Sequence, residues 1–248
     1  DHSIREGFHA LDVLEKYRGS YRARDLAEAS IELIFDYWVP NEHWDTRRIE
    51  KDLPVKVERL DKTHTFIQRM GRSIGPLVKF YNSTGHGRAF QLAEILTEKA
   101  IREFFKDDGK FSTPVFGNHA HSTTSVMSSL AQFSDLTRDA GLMARVKAFY
   151  DNGLWEMRDQ IGWSVEVTSM AGVNYPDRGE SNNTGDMMET ALILGRWGYT
   201  SYYADAERML RSHLLPSQLR DVSFVVEADN PEGLNSGKNF AARIRGAW

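Results

Sequence analysis

Carboxylate and histidine side chains cluster at the starts of two predicted helices. Asp186 and Glu189 are three residues apart in segment 182–196, so they share one face of a helix that is otherwise apolar nearly all round. Upstream, His119 and His121 immediately precede a second apolar series. Charge at the open end of a buried helix is typical of a functional site. The two segments therefore predict polar groups that meet at one place.

These residue types suit the cleavage of a glycosidic bond. That reaction uses one protonated carboxyl group as acid and one ionised carboxylate as base or nucleophile, in environments that push their pKa values apart. Residues 162–189 supply the acidic side chains Glu166, Glu180, Asp186 and Glu189. A helix N-terminus stabilises ionised Asp186, which suits a base, whereas burial or a nearby carboxylate would suit an acid. The alternative is structural: Asp186 complements the helix dipole, and Glu189 caps the helix or pairs with Arg196.

The two histidines extend this candidate site. In an extended approach to the helix, His119 and His121 face the same way. They are candidates for orienting a substrate, for acting as general base, or for binding a metal with Asp186 or Glu180. Two histidines are not a metal signature, so we predict neither a metal nor a cofactor.

Sugar recognition requires aromatic platforms and polar groups near the acids. Arg178 lies beside Glu180 and is suited to pair with a uronate carboxylate, while Asn183 and Thr184 are typical N-cap residues. The predicted substrate-binding residues lie in loops or at helix starts: Trp44, His119, Trp163, Tyr175, Arg178 and Asn183.

Apolar spacing of three to four residues predicts an all-α fold. The predicted helices span 3–17, 22–38, 63–82, 87–105, 122–137, 140–157, 184–198 and 201–214. Strand-like alternation is scarce, and the candidates are 221–227 and a short strand within the turn-rich stretch 107–117. The helices come in pairs that recur every 50–65 residues or so, a period typical of helical-hairpin arrays.

The paired helices, the long loops that enter them and the segment G-D-M-M-E-T-A-L-I-L-G-R-W-G at 185–198 resemble the six-hairpin glycosidase superfamily. Unsaturated uronyl hydrolases are the nearest comparison. The resemblance implies an (α/α) toroid with a substrate cleft where the inner helices start, and it implies that Asp186 is the characteristic catalytic aspartate. A closed ring of six hairpins needs about 300–400 residues. We therefore expect residues 1–248 to form one incomplete toroid domain of a longer natural chain.

Composition excludes several partners and chemistries. The chain has 248 residues, of which 31 are basic and 35 acidic, for a net charge of −4. No Lys/Arg cluster is long enough to follow a phosphate backbone, so nucleic acid is not an expected partner. The sequence has no apolar run of about 18 residues that would span a bilayer. It has no cysteine, which excludes thiolate chemistry and leaves a bacterial cytoplasm and periplasm equally open.

The sequence thus predicts a glycoside hydrolase acting on a poly- or oligosaccharide that contains uronic acid, with Asp186, Glu180 and His121 as catalytic residues. Two alternatives stay open. One is a polysaccharide lyase in which His121 or Tyr175 abstracts the proton α to a uronate carboxyl group. The other is a non-catalytic helical-repeat protein that binds another protein on its concave face.

Overall fold

The fold is all-α, as the apolar periodicity predicts. The computed structural model describes residues 4–57, 65–168, 179–227 and 229–247. The helices are α1 (Ile4–Arg18), α2 (Tyr21–Tyr37), α3 (Thr46–Asp52), α4 (Ile74–Thr84), α5 (Gly87–Glu103), α6 (Thr113–Phe116), α7 (Ala120–Thr137), α8 (Ala140–Asp151), α9 (Ser181–Arg196), α10 (Ser201–Met209), α11 (Leu215–Ser217) and α12 (Phe240–Ile244). None of the helices in these ranges is both long and apolar enough to cross a membrane.

The helices pack as hairpins, α1 with α2, α4 with α5, α7 with α8 and α9 with α10. The first helices of the hairpins also pack on one another in a row, α1 on α4, α4 on α7 and α7 on α9. Arg5, near the start of α1, contacts residues near the starts of α7 and α9, and Glu6 bonds to Arg72 just before α4. The N-terminal ends of all four helices therefore lie together. This end of the row is where the predicted site residues should meet.

Helix α7 is the centre of the core. Every residue from Ala120 to Ala131 is buried, although many of them are serines and threonines. The hydroxyl groups of Thr124, Ser125 and Ser129 bond to carbonyl oxygens one turn earlier, as in the 2.6 Å bond from Ser129 Oγ to the carbonyl of Ser125. Small polar residues whose hydroxyl groups donate hydrogen bonds within their own helix allow neighbouring helices to pack closely on every side of α7.

Two predicted helices are shorter than the apolar periodicity indicates. In place of a helix over 63–82, a 3-10 turn at Met70–Ser73 precedes α4. Pro76 has no N–H to donate and is tolerated only in the first turn, so α4 cannot extend further upstream. The helix predicted over 140–157 ends at Asp151, because Gly153 donates its backbone N–H to the carbonyl of Gly109 at 2.8 Å.

The strand predictions are wrong. Residues 221–227 contain a turn, in which Val225 N donates to the carbonyl of Val222 at 3.1 Å, and Val226 is 87% exposed. The stretch 107–117 contains turns and the short helix α6. A strand needs a partner for its backbone groups. Among the described residues, neither segment has one, and strand pairing is confined to isolated bridges.

A buried ion pair joins the last two hairpins. Arg158 Nη1 lies 3.0 Å from Asp205 Oδ2, and Tyr150 Oη also donates to that carboxylate. The Arg158 guanidinium packs over the rings of Tyr150 and Trp155, with 4.8 and 4.3 Å to the ring centroids. These contacts connect α8 and α10 and fix the chain just before the segment that organises the site.

Candidate active site

A short extended segment, residues 162–168, aligns the starts of α7 and α9. The backbone N–H of Ala120 donates to the carbonyl of Glu166 at 3.0 Å, and the N–H of Glu180 donates to the carbonyl of Ser164 at 3.1 Å. One strand-like piece of backbone therefore bonds to the first residues of both helices. Their relative position does not depend on any exposed side chain.

Side chains in the first turn of α9 strengthen this arrangement. Asn183 Nδ2 donates to Ser164 Oγ at 2.9 Å, and Thr184 Oγ1 donates to the carbonyl of Gly162 at 2.7 Å. The prediction that Asn183 or Thr184 caps α9 is wrong, because Glu180 occupies the N-cap position. Asn183 is fully buried. Its side-chain amide nitrogen binds Ser164 and the carbonyl of Val165 and so holds the preceding segment against α9, whereas its contact with a substrate stays a prediction.

The structure brings His119, His121, Glu180 and Asp186 together, as the helix pairing predicts. His121 is at the centre: its Nδ1 lies 3.2 Å from Glu180 Oε1, and its Nε2 lies 3.5 Å from Asp186 Oδ2. His119 Nε2 is 3.8 Å from the second oxygen of Glu180. His121 and Asp186 are almost completely buried, whereas His119 and Glu180 are partly exposed. The cluster thus reaches from the surface into the interior.

Two further residues complete the cluster and were missed from the sequence. Arg5 of α1 donates through Nη2 to Asp186 Oδ1 at 2.8 Å, and its Nη1 lies 3.1 Å from His121 Nε2. Thr124 Oγ1 lies 3.3 Å from Asp186 Oδ2. A buried carboxylate needs a cation or several donors. This requirement and the position of Arg5 near the start of the first helix are the two features of the sequence from which Arg5 could have been predicted.

Hydrogen bonds define the proton positions on both imidazole rings. His119 Nδ1 accepts the backbone N–H of Ser122 at 3.3 Å, which caps α7 and places the proton of the neutral ring on Nε2, facing Glu180. An arginine can only donate, so the contact from Arg5 makes Nε2 of His121 the acceptor. The proton of neutral His121 is then on Nδ1, where it is donated to Glu180.

The two carboxyl groups have pKa values shifted in opposite directions. Burial alone would raise the pKa of Glu180, but the hydrogen bond from His121, the charge of His121 when protonated and a hydrogen bond from Asn182 lower it to about 2. Burial raises the pKa of Asp186, against the opposing charges of Arg5 and His121. Glu180 is therefore ionised at neutral pH, whereas Asp186 holds a proton more tightly than an ordinary aspartate.

The lowered pKa of Glu180 predicts how stability depends on pH. A carboxylate with a lowered folded-state pKa stabilises the protein above its unfolded value, here 4.5, and loses that contribution as the pH falls through about 2. Urea unfolding of the wild type and of Glu180→Gln should therefore differ most above about pH 5. The difference should shrink steadily toward pH 2. A difference that does not change with pH would contradict the assignment.

The predicted aromatic residues differ in their relation to the cluster. The ring of Trp163 packs over Gly179, where an added Cβ would lie 2.4 Å from Nε1, so the indole is beside the residue that precedes Glu180. Trp44 is half-buried and packs against the hydrophobic core after α2. Tyr175 and Arg178 lie outside the described residues.

A second polar group lies one turn further along α9. Glu189 accepts hydrogen bonds from Ser128 Oγ at 2.7 Å and from Gln132 Nε2 at 3.0 Å, and it lies 3.4 Å from Lys79 Nζ. Its predicted pairing with Arg196 is wrong, because Arg196 binds Asp135 instead. This group borders a cavity of about 1110 Å³ between α4, α7 and α9, whose lining includes Lys79, Gln132, Gly185, Met188, Glu189 and Leu192.

The described ranges contain no group of three or more histidine or carboxylate side chains arranged to hold a metal ion. What the cluster offers is a buried carboxyl group with a raised pKa, an ionised carboxylate and an oriented imidazole. No family model matches the chain, and no curated protein matches it significantly.

Proposed function

We propose that the protein is a glycoside hydrolase, with Asp186 as general acid and Glu180 as the ionised carboxylate. The observation that supports this most is the opposite shift of their two pKa values around a shared histidine. Titratable groups whose environments separate their pKa values in this way are suited to acid and base roles. In this mechanism Asp186 protonates the glycosidic oxygen as the C–O bond breaks, and water supplies the new hydroxyl group.

We further infer that water attacks directly, without a covalent intermediate. The imidazole ring of His121 lies between the two carboxyl groups and contacts each through a different nitrogen atom. Because a ring lies between the two groups, we infer a spacing of the inverting kind, about 6.5–9.5 Å, and not the spacing of about 5–5.5 Å in retaining enzymes. Glu180 would then orient and deprotonate the water, and the anomeric configuration would invert.

The substrate that we propose is a poly- or oligosaccharide containing uronic acid, within an (α/α) toroid of hairpins. The row of parallel first helices supports the toroid, because it gathers their starts at one end. Trp163, beside Glu180, provides an aromatic face for a pyranose ring. Arg5 supplies a guanidinium group at the same cluster.

A polysaccharide lyase is the second candidate, and one observation favours it. Glu180 lies within hydrogen-bonding distance of Nδ1 of His121, which is how carboxylates orient histidine bases. Nε2 would then abstract the proton α to a uronate carboxyl group, while Arg5, 3.1 Å from that nitrogen, neutralises the developing charge. This reaction eliminates the leaving group and consumes no water.

The products distinguish the two reactions. A hydrolase should release reducing ends from saturated uronic-acid oligosaccharides without ultraviolet absorbance, and it should abolish the absorbance of oligosaccharides that already carry the unsaturated uronide. A lyase would instead raise the absorbance, because it creates a conjugated double bond. Asp135→Asn, which alters an aspartate bound to Arg196 at the other end of α7, is a matched control for Asp186→Asn. Absence of any change with a panel of saccharides would contradict both and favour a protein-binding role.

A further inference from the structure

Asp186 has no free carboxylate oxygen. Its Oδ1 accepts a hydrogen bond from Arg5 at 2.8 Å, and its Oδ2 lies within 3.5 Å of both Thr124 Oγ1 and His121 Nε2. The residue is also only 5% exposed. A general acid must bring one oxygen within hydrogen-bonding distance of the substrate. One of these partners must therefore move before Asp186 can act.

Arg5 is the partner best placed to leave. His121 and Thr124 lie in the fully buried part of α7, whereas the side chain of Arg5 is 18% exposed and belongs to α1. Its Nε is buried without a hydrogen-bond partner among the described residues, so the guanidinium group is not fully satisfied in this position. A long side chain at the edge of the cluster can rotate away without disturbing the core.

The next residue keeps α1 in place if Arg5 moves. Glu6 accepts a hydrogen bond at 2.8 Å from Nη2 of Arg72, a buried residue of the 3-10 turn before α4. Glu6 also lies 3.9 Å from Nη1 of Arg5, but its shorter bond to Arg72 does not involve the Arg5 side chain. The start of α1 can therefore stay docked while the Arg5 side chain changes its position.

We propose that Arg5 is a positioning residue that acts through Asp186. While the guanidinium group of Arg5 is bound to Asp186, it covers the carboxylate and lowers the affinity of Asp186 for a proton. When the guanidinium group moves away, Asp186 is uncovered and binds a proton more tightly. Naming Asp186 as the acid rests on the proposed function. The effect of Arg5 on the proton affinity of Asp186 is independent of the proposed function.

The charges around Asp186 explain why Arg5 has this effect. The charged groups that act on Asp186 are Arg5 from α1, Arg72 from the 3-10 turn before α4, His121 from α7 and Glu189 from the next turn of α9. Thr124 of α7 contacts it through a hydroxyl group, and Glu180, at the start of α9, faces the other side of His121. Arg5 exerts the largest of the opposing effects that lower the pKa of Asp186. Without it, the effects of burial and of Glu189, which favour the protonated acid, meet less opposition.

Carbon-13 NMR of the side-chain carboxyl groups tests the proposal without a substrate. The Asp186 signal is assigned by its loss in Asp186→Asn and is then titrated in the wild type, in Arg5→Met and in Arg5→Lys. Arg5→Met should raise the proton affinity of Asp186 about 10- to 100-fold, as expected when an arginine neighbour is removed. Arg5→Lys, which keeps the charge, should restore most of the wild-type value. Arg88→Met, which removes an exposed arginine paired with Glu32, should leave the Asp186 titration unchanged.

The outcomes separate this proposal from the proposed function. A titration of Asp186 in Arg5→Met that matches the wild type would overturn the role of Arg5, whatever the activity. If Arg5→Met does not fold, Arg5→Gln provides the same neutral comparison. If the protein is an active hydrolase, the alkaline limb of the pH–rate profile of Arg5→Met should shift to higher pH by as much as the NMR titration does, because the acid must be protonated to act. If no saccharide is cleaved but the titration shifts, the hydrolase proposal fails and the role of Arg5 stands.

Discussion

Replacing Asp186, the proposed general acid, with asparagine should lower turnover of a saccharide substrate by about 10²-fold or more, because the amide group cannot donate the proton that the proposed mechanism transfers to the glycosidic oxygen. The substitution keeps the size of the side chain and its contact with Thr124. Steady-state kinetics and a melting curve on the same preparation measure the two effects. We expect a large loss of turnover and a small change in melting temperature.

Asp135→Asn is the matched control for this substitution. Asp135 is also an aspartate that binds an arginine, Arg196, but it lies at the far end of α7 from the site. The Asp135→Asn substitution should therefore change turnover little. If Asp186→Asn also keeps its turnover, Asp186 is not the acid, and His121, in the role of lyase base, becomes the leading candidate. Asp186 lies in the second turn of α9, so its charge interacts less with the helix dipole than a first-turn acid would.

Replacing Asp205 with alanine should have the largest effect on stability. It removes the carboxylate that compensates Arg158, whose side chain is only 3% exposed, and leaves a buried cation and the hydroxyl group of Tyr150 without their shared acceptor. Breaking a buried ion pair in this way costs about 3–5 kcal/mol. Urea denaturation should show a correspondingly lower free energy of unfolding.

An exposed ion pair provides the comparison for Asp205. Glu32→Ala removes the acceptor of Arg88, and both of these side chains are more than 40% exposed. Surface pairs of this kind contribute about 1 kcal/mol or less. If the two substitutions prove equally mild, the Arg158–Asp205 pair does not hold α8 and α10 together as the structure indicates.

The helices could be predicted from the sequence where apolar periodicity was decisive. Helix α5 was predicted over 87–105 and spans Gly87–Glu103, since its buried stripe is regular. Periodicity failed where a backbone constraint overrides it, as at Pro76. It also failed for residues 221–227, whose alternating pattern lacks a neighbouring strand among the described residues.

The site could be predicted only in part, for a related reason. His121 lies in the first turn of α7 and Asp186 in the second turn of α9, so the pairing of the two helix starts indicated that they meet. Arg5 is 181 residues from Asp186 in the chain, and no local pattern connects the two. The buried role of Asn183 was also hidden, because an asparagine near a helix start is typical of a cap. Its true partner, Ser164, comes from the preceding loop.

The backbone pairing of residues 162–168 has a consequence for how this protein can diversify. Because main-chain groups hold α7 and α9 in register, the partly exposed side chains of Trp163, Val165 and Val167 do not set the distance between His121 and Asp186. Natural variation or directed evolution can therefore alter these residues, and with them the surface beside Glu180, while the arrangement of His121 and Asp186 is inherited unchanged.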